Sequence, residues 1–131
     1  LIGVDTNVLV RFLTADEPGQ HQQAVSFFGS RTPESPAFIS AVTLVETIWV
    51  LRRAYRLEPA EIMDSLGLFL DSDDFVVECR HSLELVRKGA GTMNQLNDFI
   101  VAELGERAGC AATMTLDRRA ARAVPSMELL A

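Results

Sequence analysis

Short apolar runs alternate with stretches of helical period along this 131-residue chain, and that alternation restricts its fold more than any other feature. Runs at 2–4, 37–39, 75–77 and 111–115 read as strands, and the tail reads as a possible edge strand. Helical stretches fall at 7–14, with Val8, Leu9 and Phe12 inward, and at 18–28, opened by Pro18. After a polar loop at 31–36, Ser40 is placed to cap a long helix reaching about residue 55. Its expected inward stripe is Val42, Val45, Ile48 and Trp49, continued by the stem of Arg52. Further helices are expected at 59–70, at 81–88 before Gly89 and Gly91, at 96–107 and at 118–123. Strands separated by helices must be joined by crossovers, and the expected class is α/β with a parallel sheet.

A chain of this length fits one domain, 1–131, and no linker, repeat or low-complexity tract divides it. Hydrophobic content of 48% with 23% charged residues is ordinary for a globular protein. The first apolar run stops at Asp5, too early to span a membrane or serve as a signal peptide, so no membrane partner and a cytoplasmic location are expected. Leu1 suggests a natural start just upstream. Cys79 and Cys110 have neither C-x-x-C nor metal-site spacing and read as plain thiols. His21 and His81 lack a partner at diagnostic spacing and read as surface or satisfied histidines.

Four acids stand apart from the ordinary surface charge: Asp5 in I-G-V-D-T-N, Glu46 in S-A-V-T-L-V-E, Asp98 in L-N-D-F-I-V-A and Asp117 in T-M-T-L-D-R. Each follows or interrupts an apolar run, where a bare acid is costly unless something offsets it. Asp5 and Asp117 fall at or just past strand ends, where open parallel sheets place their ligands. Glu46 lies one to two turns into its helix, and Asp98 near the start of another. All four could reach one cleft, where like charges are tolerable only around a cation. Oxygen donors without histidine or thiolate suit Mg²⁺ or Mn²⁺. A net charge of −6 argues against passive binding to nucleic acid, although arginines such as Arg11, Arg52, Arg53, Arg56, Arg118 and Arg119 could rim such a cleft.

These segments, in this order and spacing, resemble the PIN-domain family, most closely the VapC-type toxins of bacterial toxin–antitoxin pairs, and the likeness covers essentially the whole chain. The resemblance implies a three-layer α/β/α PIN-like domain with a central, mostly parallel sheet. It implies a Mg²⁺- or Mn²⁺-dependent endoribonuclease that hydrolyses RNA to 5′-phosphate and 3′-hydroxyl ends. It also implies a homodimer restrained by a small antitoxin protein. Asp5, Glu46, Asp98 and Asp117 match the family's acidic positions as catalytic residues, with Asp5, Asp98 and Asp117 expected to hold the metal. Glu46 would complete the shell or orient the attacking water. Thr6, Asn7 and Thr115 match small polar residues that orient a carboxylate or a metal-bound water. Gln95 departs from the pattern, standing where the family often has one more acid.

Other enzyme classes fit less well. Haloacid-dehalogenase-like hydrolases usually carry a second aspartate two residues after the first, where this chain has Asn7, and response-regulator receivers need a late lysine where Arg118 follows Asp117. A stand-alone PIN-like nuclease and a catalytically degenerate metal-binding scaffold are the alternatives that keep all four acids.

Overall fold

A computed structural model describes residues 1–130. The chain resolves into two compact units, Leu1–Glu78 and Cys79–Ala131. The first contains β1 (Ile2–Gly3), α1 (Thr6–Leu13), α2 (Pro18–Gly29), β2 (Ala37–Ile39), α3 (Ala41–Arg53), α4 (Pro59–Leu70) and β3 (Phe75–Val77). The second contains α5 (Arg80–Arg87), a short 3-10 turn (Met93–Gln95), α6 (Leu96–Arg107), β4 (Thr113–Thr115), α7 (Arg118–Ala123) and β5 (Met127–Leu129).

The expected α/β class with parallel strands holds, since β1 pairs with β2, β2 with β3 and β4 with β5, all in parallel. These ladders form two sheets, ordered β1-β2-β3 and β4-β5, in place of one five-stranded ladder. The strands are only two or three residues long because each carries little beyond its apolar run before a helix cap takes over. Backbone bonding outlasts β1 itself, as the Val4 N–H donates to the Phe38 carbonyl at 3.1 Å. β4 begins at Thr113, two residues later than expected, because Gly109 adopts φ 92° and the Cys110 N–H closes back on the Gly105 carbonyl. Likewise α3 stops at Arg53, where Arg56 turns left-handed (φ 54°) and the Leu57 N–H bonds the Leu51 carbonyl.

Leu9, Ile39, Leu44, Leu51, Ile62 and Phe69 are fully or almost fully buried in the first unit. An aromatic chain adds to this core, with Phe12–Phe28, Phe28–Phe75 and Phe69–Phe75 ring centroids 4.7, 5.4 and 4.8 Å apart. In the second unit the buried apolar residues include Leu83, Leu96, Phe99, Ile100, Val124 and Met127. There the Glu103 carboxylate accepts from both the N–H and the hydroxyl of Ser82 and pairs with Arg107, so its burial is compensated.

The inward stripe of α3 differs from the expected one. Val42 and Trp49 are 67% and 60% exposed, whereas Leu44, Thr47, Ile48 and Leu51 face the core. Two threonines hid the true face: Thr47 is wholly buried because its hydroxyl donates to the Thr43 carbonyl at 2.7 Å, so a residue that counts as polar packs as an apolar one. No helix of the described residues is long and apolar enough to cross a membrane.

Candidate active site

The four acids fall two to each unit. Asp5 is the N-cap of α1: its backbone is extended (φ −88°, ψ 162°) and its Oδ1 accepts from the Thr6 N–H at 2.7 Å. Thr6 also reaches across to α3, where its hydroxyl donates to Glu46 Oε2 at 3.1 Å. The register of α3 beside β1 is set one turn earlier. Ser40 caps the helix by accepting from the Thr43 N–H at 3.2 Å, and the Thr43 hydroxyl contacts the Val4 carbonyl at 3.3 Å. That tie places Glu46 within reach of the residue that follows Asp5, and both acids remain exposed.

Asp5, Thr6, Asn7, Arg11, Glu46 and Tyr55 line an open groove of about 430 Å³. At its far end, Arg11 donates to Gln20 Oε1 at 2.6 Å and lies 3.7 Å from Asp16, while the Tyr55 hydroxyl donates to Asp16 Oδ2 at 2.8 Å. That hydroxyl holds the Asp16 carboxyl below the usual carboxylate range. His21 is tied to the Arg11 carbonyl at 2.8 Å, which makes it a satisfied histidine, and His81 is exposed. The grouping of Arg11 with Gln20, Tyr55 and Asp16 escaped the sequence reading. Its signal was weak, because Tyr55 is 44 residues from Arg11 and only the end of α3 brings it back.

In the second unit, Asp98 occupies the first turn of α6 and is half-buried. Burial, and secondarily the negative charge of Asp117, raises the Asp98 carboxyl above its ordinary value. Asp117 is the N-cap of α7, with Oδ1 accepting from the N–H groups of Arg119 at 2.8 Å and Ala120 at 3.1 Å. The Thr115 hydroxyl accepts from the Asp117 backbone N–H at 3.0 Å. Gln95 has a local structural role: its side-chain oxygen accepts from the Thr92 N–H at 3.1 Å and closes a capping box over the turn before α6. Cys79 is buried, Cys110 is exposed, and neither forms a disulfide.

Among the described residues, no group of three or more His, Cys, Asp or Glu side chains forms a ready-made metal cage. The donors nevertheless fit a hard divalent cation. Mg²⁺ is commonly held by only one or two carboxylates with waters and substrate phosphates, and Asp98 with Asp117 is a pair whose mutual charge a cation would offset.

Parallel strands joined by helices, with Asp5, Asp98 and Asp117 at helix starts, define an α/β class of fold. Within that class the chain belongs to the PIN domain family, whose model matches residues 2–124. The match runs through both units and all four acids. PIN domains are generally nucleases. No curated protein matches the chain at a significant level.

Proposed function

We propose that the protein is a Mg²⁺- or Mn²⁺-dependent endoribonuclease acting as the toxin of a toxin–antitoxin pair, with both units serving as one nuclease domain. The observation that carries the reading is the PIN family match over 2–124, which spans all four acids, and the pairing of Asp98 with Asp117, whose charge raises the Asp98 carboxyl together with burial, supports it. Asp98 and Asp117, with Asp5, would hold the metal. When bound, such an ion lowers the pKa of a water and offsets charge on the phosphoryl oxygens. The chain's own residues do the positioning. Thr6 fixes one oxygen of Glu46, leaving the other to orient the attacking water or receive its proton. Thr115 and the α7 amides hold Asp117 in one orientation. Water attacks phosphorus, the P–O3′ bond breaks, and the products carry a 5′-phosphate and a 3′-hydroxyl. Single-stranded loops are the expected targets because their bases are accessible.

A homodimer in the cytoplasm, restrained by an antitoxin protein, completes the proposal and draws its support from the sequence resemblance. Labelled total RNA and single-stranded DNA, each incubated with Mg²⁺, with chelator and with Asp98→Asn, test the chemistry. We expect RNA cleavage by the wild type with metal only, and activity surviving in chelator or in the variant overturns the mechanism. The scaffold alternative draws on the lack of a three-ligand group among the described residues. Absence of any cleavage under either metal favours it, whereas cleavage of DNA in preference to RNA keeps the metal chemistry and rejects the toxin role.

A further inference from the structure

The start of α2 is fixed by Pro18 at its first turn and by Glu17, whose carboxylate accepts from the Gln20 N–H at 2.6 Å. That phase puts Gln20, Gln23, Ala24 and Phe27 at i, i+3, i+4 and i+7, on one face. The same four residues form one wall of a second cavity of about 430 Å³, completed by α1 and the end of β1. Val4, Val8 and Ala24 contribute apolar lining, Phe27 an aromatic ring, and Asn7, Gln20 and Gln23 three uncharged amides. Its charged members, Asp5 and Arg11, are one of each sign.

Such a lining suits a flat, neutral ligand with an apolar face and a hydrogen-bonding edge. Ligand pockets of roughly 300–1,000 Å³ pair a mostly apolar lining with a few placed polar groups. Amide side chains read base edges because each offers a donor and an acceptor at matching separation. The orientation of one amide is already set: Arg11 Nε–H donates to Gln20 Oε1, so the Gln20 NH₂ is the group left for a ligand. Asp5, Asn7 and Arg11 line both this cavity and the groove that contains Glu46. A nucleotide with its phosphate in that groove has the cavity directly beside it.

We infer that this cavity is a nucleobase pocket, which receives one unstacked base of a single-stranded substrate and sets the base preference of cleavage. The inference rests on the nuclease reading above. Two measurements separate the fates of the two. In the first, isotope-labelled wild type, Gln20→Ala, Gln23→Ala and Gln22→Ala proteins are titrated with AMP, GMP, CMP and UMP and followed by NMR. In the second, the same proteins cleave single-stranded RNAs that differ at one base. Gln22 is exposed and lines neither cavity, which makes Gln22→Ala the control.

The expected result is base-ranked binding in the wild type, with the ranking flattened by about fivefold to tenfold in Gln23→Ala, the scale of one lost hydrogen bond. The cleavage rates on the four RNAs should converge to the same extent, and Gln22→Ala should keep the wild-type ranking. If RNA is cut but every variant keeps the wild-type ranking in both measurements, the pocket is refuted and the nuclease reading stands. If no RNA is cut yet nucleotides bind with a ranking that Gln23→Ala erases, base binding by the pocket stands, while its role in cleavage falls with the nuclease reading. Wild type that binds all four nucleotides equally or not at all overturns the pocket, as does Gln23→Ala impairing capture of a protein partner alone.

Discussion

An aspartate that caps a helix spends one oxygen on backbone N–H groups and leaves the other for chemistry. Asp5 and Asp117 both do this, each through Oδ1. Asparagine keeps a capping acceptor and removes the charge, so it separates the two duties. We expect Asp5→Asn and Asp117→Asn to keep nearly full stability in urea melts and to lose about 10²-fold or more in cleavage rate. The alanine variants should additionally lose about 1 kcal/mol. Asparagine variants as active as wild type would reduce both acids to caps. Asp98 has the opposite balance. Its folded carboxyl is raised, so the folded state holds the proton more tightly than the unfolded chain does. Metal-free protein should therefore lose stability as pH rises from the usual carboxylate range through the raised value. Asp98→Asn should flatten that slope and raise Tm above it, and Mg²⁺ should restore wild-type stability. Thermal melts from pH 3 to 7, spanning the ordinary aspartate value of about 3.9, check this.

At the level of elements, the start of α6 is set by packing as well as by capping. A Cβ on Gly91 would come within 2.5 Å of Phe99 Cε2, and Phe99 is buried beside Asp98 in the sequence. Gly91→Ala should cost about 1–3 kcal/mol and lower cleavage by displacing Asp98, measured as a drop in Tm together with kcat. A variant with unchanged Tm would show that Phe99 has room to move. From the sequence Gly91 marked only the end of the helix at 81–88, since no spacing rule shows which ring a glycine faces. Where local rules decide, the chain was legible: α2, α4 and α7 begin at the expected residues because Pro18, Pro59 and Asp117 are strong starts, and α6 begins at Leu96 as expected. Asp98 and Asp117 accordingly stand in the first turn of α6 and at the N-cap of α7. The α3 face was misread because Val42 and Trp49 outrank Thr43 and Thr47 on any hydropathy scale, whereas hydroxyl bonding within the helix made the threonines the buried residues. The groove end at Tyr55 and Asp16 depended on contacts across about forty residues, beyond the reach of periodicity.

The whole molecule poses a question of cooperativity. Two compact units carry one family match over 2–124, and function as a single nuclease domain requires that they fold together. Scanning calorimetry should give one transition whose calorimetric and van't Hoff enthalpies agree, and two separable transitions would count against the single-domain proposal. Sedimentation should give twice the 14.4 kDa chain mass if the proposed homodimer forms. One feature of α3 supplies an optical probe. Trp49 is the chain's single tryptophan, 60% exposed, with the Arg53 guanidinium 5.5 Å from its ring centroid and Glu46 on the preceding turn. Its emission in the folded protein should already lie near that of indole in water, so unfolding will scarcely shift it. A blue shift on adding RNA or a second protein will instead signal that the outer surface of α3 has been dried by whatever settled there.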